Sequence, residues 1–549
     1  MRKRTILTIL VLWLALTVAL AVPARPGVWQ VLVLSDGTSV KAELKGDESF
    51  HYWQAADGTC YVSQSGGYVA VEDIPAWKSR SKTRQMRARG RQATQGKMPD
   101  FPVYQGKKRG LLILVEFSNK EGKFDANHDH AFYNNVANKV GFISEDGFSG
   151  SVHDYFLDQS NGMFDLTLDV VGPVRLSRRY QYYGENGDDG EDLRPGEMVA
   201  EACRLADPEV NFADYDWDGN GEVDMVLVLY AGRGEADGGE KNTIWPHEWQ
   251  LYESDYGEVM VLDHTNINEY ACFNEKSSSG VEGIGVICHE FSHCLGLPDM
   301  YDLYDNNFGM GRWSLMDSGS YNGDGFCPAG FTSFEKLSCG WIKPVVLDAD
   351  TTITDMKPLS KGGEAYMLKN DGCPSEFYLI ENRQNNGWDA LLPGRGMLIL
   401  HVDYDEKVWY FNEVNSTSKK QVLSGNDHQR CTIFHADNSI NFTTTDTYPY
   451  NTNDQLTAIS RPAAMLYNDN VDGTRFMGKA ITGITQGRNG IMSFSVGPQQ
   501  YEANAIVHHP SPVAGRPGAI YSLDGRYLGN DLQVLKPGFY IVDGRKVFK

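Results

Sequence analysis

The stretch from His289 to His293 has the residue types and spacing of a metal site with its own general base. Positions i and i+4 lie on one face of a helix, so the two histidines can direct their imidazoles to one ion. Glu290, beside the first histidine, is placed to take a proton from a metal-bound water. The pattern predicts a catalytic zinc centre, and a helix with two hydrogen-bonded histidines is the alternative.

A third zinc ligand is expected just after this helix. Gly296 lets the chain leave the helix, and Asp299 can return a carboxylate that leaves one coordination position open for water or substrate. Asp302 lies three residues farther on and stays open as the alternative ligand. His247 is a further candidate for the site, although a buried, hydrogen-bonded histidine is the simpler interpretation. We assign Asp299 as the third ligand.

A second candidate metal site is an acidic loop with carboxylates at alternating positions and a glycine, Gly219, at the sixth. Calcium binds six to eight oxygens, and such a loop can wrap them around one ion. Met225 stands where an EF-hand has its closing glutamate, so the loop is only similar to an EF-hand. An acidic surface turn is the alternative. The predicted calcium ligands are Asp214, Asp216, Asp218, the carbonyl of Asn220, and Asp224 or Glu222 as the closing carboxylate.

The sequence around the zinc motif resembles a known family. Residues 289–302 (HEFSHCLGLPDMYD) and 313–323 (WSLMDSGSYNG) are similar to the M6 peptidases, the immune inhibitor A-like metalloproteases. Met316 follows the histidines where a Met-turn would lie beneath the metal. The likeness extends over roughly residues 25–500. Further segments that carry it are 151–156, 243–249, 379–384 and 394–399.

The resemblance implies a secreted zinc endopeptidase, related to the metzincins and made with a propeptide. By analogy with metzincin tyrosines, Tyr321 would stabilise the oxyanion that forms on the scissile carbonyl, although it could simply pack in the core. Glu290 would be the general base. Protein or peptide substrates are therefore the expected partners. A catalytically silent binding protein on a peptidase scaffold and a zinc hydrolase of non-peptide bonds are the alternatives.

The composition limits the class of protein. Hydrophobic residues at 41% and aromatic residues at 11% indicate a folded chain, and the 549 residues suffice for several domains. The net charge of −22 argues against a nucleic-acid partner and suits an extracellular or calcium-rich protein. The nine cysteines are scattered without a CxxC pair, and Cys288 and Cys294, which flank the zinc motif, are interpreted as small buried hydrophobes.

The first 24 residues have the pattern of a secretory signal peptide. Arg2, Lys3 and Arg4 precede an apolar stretch, and small residues offer cleavage after Ala21 or Ala24. A membrane anchor is the alternative, but the apolar run is short for a span. No later segment approaches 18 uninterrupted apolar residues, so we expect no stable membrane span in the mature form.

Residues 25–109 are predicted to be an N-terminal pro-segment. Alternating patterns at 37–44 and 66–71 predict short strands, and a run of basic residues fills 78–109. This exposed run is a candidate site for activation by a protease that cuts after Lys or Arg. A solvated linker that is never cut is the alternative.

The rest of the chain is predicted to form three regions. Residues 110–345 would be a mixed α/β (α+β), metzincin-like catalytic domain, with strands at 111–117 and 225–230 and the zinc helix at 281–297. Residues 346–498 have strand-like runs and would be a β-rich region packed on it. Residues 499–549 would be a small β domain that looks like the C-terminal sorting domains of type IX secretion substrates. That resemblance implies export across both membranes of a Gram-negative bacterium, with the secretion machinery as a partner.

Overall fold

The computed structural model describes residues 22–72, 74 and 101–499 except for 49, 65–66, 188–189, 305–306, 418–421 and 442, together with four short strands between 520 and 548. Most of the predicted signal peptide and basic run therefore lies outside the described residues. In the described part of the chain, no helix has both the length and the apolar composition to cross a membrane. All nine cysteines have free thiols; Cys288 is buried as expected, whereas Cys294 is only partly buried.

The N-terminal unit is a five-stranded antiparallel meander in which each strand pairs with its sequence neighbour. The strands are β1 (Trp29–Val33), β2 (Ser39–Asp47), β3 (Phe50–Ala55), β4 (Cys60–Gln64) and β5 (Gly67–Val71). Alternation along β2 buries Ala42 and Leu44 in the same apolar cluster that contains Trp245 and Tyr321 of the predicted catalytic domain. The unit is thus packed on that domain, and Gln30 Nε2 donates to the carbonyl of Gly238 at 2.6 Å.

The predicted catalytic domain is built on a sheet whose central strands are apolar runs covered on both faces. Its strands are β6 (Gly106–Glu116), β7 (Phe164–Arg175), β8 (Val226–Arg233), β9 (His247–Gln250), a separate hairpin of β10 (Met260–Leu262) and β11 (Thr265–Ile267), and β12 (Glu269–Lys276). The sheet order is β7-β6-β8-β12-β9, parallel except for the edge strand β9.

The strand that opens this sheet begins earlier than the sequence indicated. The apolar run predicts residues 111–117, whereas β6 begins at Gly106 and pairs with β7 from its first residue. The basic residues 107–109, which the sequence grouped with the linker, are therefore part of the sheet. Arg109 pairs with Asp169 at 2.5 Å and with Asp214 at 2.9 Å, and these contacts hold a charged stretch in a strand.

Seven α-helices are described in the resolved ranges: α1 (His130–Asn138), α2 (Val152–Gln159), α3 (Tyr180–Tyr183), α4 (Pro195–Ala206), α5 (Gly285–Cys294), α6 (Ser333–Ser338) and α7 (Glu406–Tyr410). Short 3-10 turns lie at Phe212–Tyr215, Glu235–Asp237, Gly311–Trp313, Ser318–Tyr321, Leu359–Lys361, Gly387–Leu391 and Thr443–Thr445. Helices α2 and α5 contact each other beside the parallel sheet, which places the histidine helix at the centre of the domain.

The zinc helix α5 is shorter than the predicted span 281–297. A side chain at Gly283 or Gly285 would collide with backbone atoms of Gly325 or Ser320, so glycines there let the loop carrying Tyr321 lie against the start of the helix. At the other end the helix stops at Cys294, and Gly296 takes a left-handed φ of 78°. The close packing at Gly283 and Gly285 explains why the helix begins later than predicted. The left-handed conformation of Gly296 explains why the chain leaves the helix there.

The region after the catalytic domain is β-rich, as the sequence predicts. It has two sheets, ordered β13-β15-β16-β17-β18 and β14-β20-β19. The strands are β13 (Val345–Val346), β14 (Thr351–Met356), β15 (Tyr366–Lys369), β16 (Glu376–Arg383), β17 (Gly396–Asp403), β18 (Cys431–Ile433), β19 (Lys479–Gln486) and β20 (Met492–Pro498). A last antiparallel sheet joins β21 (Ile520–Tyr521), β22 (Tyr527–Gly529), β23 (Phe539–Val542) and β24 (Arg545–Phe548).

Candidate active site

Helix α5 brings the two predicted histidines together with Asp299. Asp299 Oδ1 lies 3.1 Å from His289 Nε2 and 3.6 Å from His293 Nε2, and the two imidazole rings are 4.8 Å apart at 84°. All three side chains are buried. The sharp exit at Gly296 turns the chain back so that the aspartate faces the histidines, as the spacing predicts.

Backbone carbonyls fix the orientation of both imidazoles. Nδ1 of His289 lies 2.8 Å from the carbonyl oxygen of Leu315, and Nδ1 of His293 lies 2.7 Å from that of Leu297. Each Nδ1 therefore donates a proton to its carbonyl, which leaves the Nε2 lone pair directed into the site. Leu315 precedes Met316, so the segment predicted as a Met-turn does lie against the zinc helix.

The carboxylate of Asp299 is oriented by a residue that the sequence did not indicate. Asn412, in the β-rich region, donates from Nδ2 to Asp299 Oδ2 at 2.7 Å and accepts the backbone N–H of Asp299 at 2.7 Å. Asn415 follows on the same loop and donates to the carbonyl of Met300 at 2.6 Å. No local sequence signal connects positions 113 residues apart.

The three side chains fit a zinc ion. Among the described residues, His289 Nε2, His293 Nε2 and Asp299 Oδ1 have no hydrogen-bond partner although they are buried, which is costly unless a further group binds them. Burial lowers the pKa of His293 to about 4, so its imidazole is neutral and able to ligate. Two nitrogen donors and one carboxylate oxygen match a catalytic zinc site with an open position.

Glu290 lies beside this cluster and is completely buried. Its Oε1 accepts the backbone N–H of Val22, from the start of the N-terminal unit, at 3.0 Å, while Oε2 has no partner in the described structure. Burial, followed by the negative charge of Asp299, raises the pKa of Glu290 well above its usual range. A carboxyl group with a raised proton affinity is suited to accept and deliver a proton.

Tyr321 also contacts the N-terminal unit. Its hydroxyl donates to the carbonyl of Pro23 at 2.8 Å, and Trp245 Nε1 donates to the carbonyl of Val22 at 3.1 Å. Tyr321 therefore donates to a peptide carbonyl in this cleft, and packing is not its only contact. The sequence pattern assigned residues 22–24 to the signal peptide and did not indicate that residues 22–25 would lie in this cleft.

The two alternative ligands lie in other environments. Asp302 accepts the backbone N–H groups of Tyr304 and Asn307, both at 2.9 Å, and so stabilises a turn outside the histidine cluster. His247 contacts the carbonyl of Trp245 at 2.7 Å and the hydroxyl of Tyr270 at 3.1 Å. Burial lowers its pKa to about 4. It has the environment of a hydrogen-bonded core histidine.

The acidic loop at 214–224 is ordered by hydrogen bonds of its own. Asp216 accepts three backbone N–H groups, Asp218 accepts that of Asn220 at 3.0 Å, and Asp224 accepts that of Trp217 at 2.5 Å. The carboxylate of Asp214 pairs with Arg109. The loop is thus a hydrogen-bonded turn whose first acidic side chain is directed to an arginine, and calcium binding by it stays a prediction.

Comparisons with known proteins find one matching family and several similar proteins. Residues 103–343 match the family described as immune inhibitor A peptidase M6, catalytic domain. The pre-pro-metalloprotease PrtV of Vibrio cholerae is 31% identical over 282 residues, which cover 43% of this chain and 30% of that protein. Immune inhibitor A of Bacillus thuringiensis is 26% identical over 288 residues, 44% of this chain and 42% of that protein.

A putative secreted metallopeptidase of Arthroderma benhamiae is 23% identical over 244 residues, 36% of this chain and 32% of that protein. The chain thus spans well under half the length of the curated relatives it matches. Residues 103–343 contain His289, Glu290, His293 and Asp299, so the matched stretch holds the whole candidate centre. The family is one of metallopeptidases, which are hydrolases.

Proposed function

We propose that this chain, whose residues 103–343 match the M6 peptidase catalytic domain, is a secreted zinc endopeptidase made as a zymogen. The observation that carries the proposal is the cluster of three buried, unpartnered donor atoms on His289, His293 and Asp299 beside Glu290. Such a cluster is stable when a metal completes it, and a metal beside a carboxyl group of raised pKa is the machinery of peptide hydrolysis.

In the proposed peptide hydrolysis, different side chains bind the metal, transfer the proton and stabilise the developing negative charge. When bound by His289, His293 and Asp299, zinc would supply Lewis acidity to the scissile carbonyl and lower the pKa of a water molecule. Glu290 takes a proton from that water and transfers it to the departing amine. Tyr321, which donates to a peptide carbonyl in the cleft, stabilises negative charge on the carbonyl oxygen.

Residues 22–25 account for latency in this proposal, which places the signal-peptide cut after Ala21 so that Val22 begins the exported pro-segment. The backbone N–H of Val22 donates a hydrogen bond to Glu290, the proposed general base. The carbonyl of Pro23 accepts the hydrogen bond of the Tyr321 hydroxyl. Both groups would otherwise act on substrate, so the unprocessed chain is inactive until this segment leaves. Activation would follow cleavage in the basic run. A cut after Arg109 would remove four residues from β6, so the productive cut lies upstream of that strand.

Calcium is proposed as a structural ion of the loop 214–224. Its carboxylates lie around one turn, and only Met225 separates this loop from the start of β8 at Val226, so an ion there would stabilise the central sheet. Metal-stripped, zinc-reloaded protein should melt at a higher temperature with added calcium. An unchanged melting temperature would remove calcium from the proposal.

The C-terminal strands are proposed to act as an export signal. They form a small antiparallel sheet, in keeping with the resemblance of residues 499–549 to type IX sorting domains. A Gram-negative host that carries the type IX machinery should export the full chain and retain a chain ending at residue 498. Equal export of the two would remove this part of the proposal.

The central test is zinc-dependent cleavage of denatured casein. The full chain would be loaded with zinc and assayed before and after limited trypsin digestion, with the trypsin then inactivated by a covalent serine-protease inhibitor. We expect activity only after digestion, and a loss of about 100-fold or more in Glu290→Gln. Glu253→Gln, an exposed position, is the matched control. A zinc-loaded chain that never cleaves casein would instead be a binding protein.

A further inference from the structure

Arg25 of the N-terminal unit is buried in the catalytic domain with only 6% of its surface exposed. Its Nη2 donates to both carboxylate oxygens of Glu282, at 2.5 and 2.7 Å, and its Nε donates to Asp237. The guanidinium carbon lies 4.7 Å from the centre of the Tyr321 ring, and the exposed Asp324 is 3.6 Å from Nη1. Two acids and an aromatic face therefore surround one planar cation.

The backbone beside Arg25 is bound as a peptide in the catalytic cleft. Val22 contacts Glu290 and Trp245, Pro23 contacts Tyr321, and the N–H of Arg25 donates to the carbonyl of Ala236 at 3.0 Å. Three consecutive peptide units thus lead from the general base to the acidic pocket. Arg25, three residues after Val22, reaches Asp237 and Glu282 with its side chain.

The pocket belongs to the catalytic domain and is held by contacts other than Arg25. Asn274 Nδ2 donates to Asp237 Oδ2 at 3.1 Å, and the backbone N–H of Glu282 donates to the carbonyl of Glu275 at 2.8 Å. A side chain at Gly325 would approach Glu282 Oε1 to 2.8 Å, and Gly325 has a φ of 81°, so a glycine leaves room for this carboxylate. Both acids therefore have contacts within the same domain that do not depend on Arg25.

We propose that Asp237 and Glu282 form a substrate subsite that binds an arginine side chain, and that Arg25 occupies it in the unprocessed chain. The inference rests on the proposed peptidase function. Once Arg25 leaves, two neighbouring carboxylates face the cleft without a cation, and a guanidinium can contact both of them in one plane. The preferred substrates are therefore peptides with an arginine a few residues from the cleaved bond.

The test compares peptides that differ by one charge. Zinc-loaded full chain, activated by trypsin and freed of trypsin activity, would be given peptide pairs with arginine or citrulline at each position around the cleaved bond. Citrulline keeps the shape and loses the charge. We expect a kcat/KM at least about tenfold higher for arginine at one fixed position, and Glu282→Gln should abolish that preference. Equal cleavage of the two peptides would overturn the inference.

Binding to an inactive protein gives an independent measurement. The full chain with Arg25→Ala and Glu290→Gln would be titrated calorimetrically with Nα-acetyl-arginine amide and with its citrulline counterpart. We expect only the arginine compound to bind, and its binding to disappear when Glu282→Gln is added. No binding, or equal binding of both compounds, would contradict the subsite. If casein is never cleaved, the proposed function fails while this titration still decides the pocket.

Discussion

Arg383 and Arg25 are two buried arginines of this molecule, and each lies between two carboxylates. Arg383 in β16 is completely buried, with Nη2 2.6 Å from Asp389 and Nη1 3.0 Å from Glu381. Arg25 is nearly as buried between Asp237 and Glu282. The partners of Arg383 lie two and six positions away, whereas those of Arg25 lie 212 and 257 positions away.

This difference in sequence separation distinguishes two kinds of buried ion-pair cluster, called joints below. The joint at Arg383 is permanent, whereas the joint at Arg25 can be released by cleavage of the chain. Arg383 also donates to the carbonyls of Gly330 at 2.9 Å and Trp313 at 3.3 Å, and so fixes the β-rich region to the catalytic domain. No cleavage in the basic run can separate these groups. Arg25 makes an equivalent contact, but a single cut in that run would leave its segment held by noncovalent contacts alone. The same chemistry therefore stabilises the fold in one place and, in the proposed zymogen, would stabilise latency in the other.

The largest effect is expected from breaking the permanent joint. Arg383→Met keeps much of the side-chain volume but leaves Glu381 and Asp389 buried without a cation. We expect the free energy of unfolding to fall by about 3–5 kcal/mol, measured by urea denaturation of the full chain. A loss below about 1 kcal/mol would show that the joint does not depend on this charge.

Breaking the releasable joint should change activity more than stability. Arg25→Ala removes the cation from Asp237 and Glu282 and should weaken the hold of the N-terminal segment by about 2–5 kcal/mol. We expect the unprocessed, zinc-loaded variant to cleave casein without trypsin, while the wild-type chain stays inactive. Lys41→Ala, an exposed position in the same unit, is the control. A variant as latent as wild type would mean that the arginine is dispensable for latency.

Another buried carboxylate, that of Glu376 in β16, tests whether acid can destabilise the β-rich region. Burial raises the pKa of Glu376, but hydrogen bonds from His401 and others outweigh it and lower the pKa from 4.5 to about 2. A depressed folded-state pKa gives stability that is present above pH 4.5 and lost as the pH falls towards 2. We expect a loss of up to about 3 kcal/mol over this window, and a smaller pH dependence in Glu376→Gln.

The smallest effect is expected at an exposed arginine. Arg475 pairs with Asp469 at 2.8 Å, but the two side chains are 63% and 64% exposed. Arg475→Ala should change the free energy of unfolding by no more than about 1 kcal/mol, because water solvates the freed charge. A loss as large as that of Arg383→Met would show that burial does not explain the contrast.

The sequence predicts those parts of the candidate site whose residues are close together along the chain. It does not predict the contacts made by residues that are far apart in sequence. Five residues of one helix place His289 and His293 on the same face, so their spacing alone predicted their approach. The position after a helix-ending glycine favoured Asp299, but local sequence could not decide against Asp302, whose carboxylate caps a turn. The position of Asn412 follows from tertiary packing, and periodicity carries no information about that.

The loop at Asn412 has a practical consequence for anyone who shortens this chain. The family match ends at residue 343, yet one of the two oxygens of Asp299 is held by an amide 113 positions downstream. A fragment limited to residues 103–343 would keep all three proposed ligands. It would lose Asn412, whose amide orients the carboxylate of Asp299. A fragment that keeps the carboxylate of Asp299 oriented as in this structure therefore extends past Asn412, and part of the second region would need to be expressed with the first.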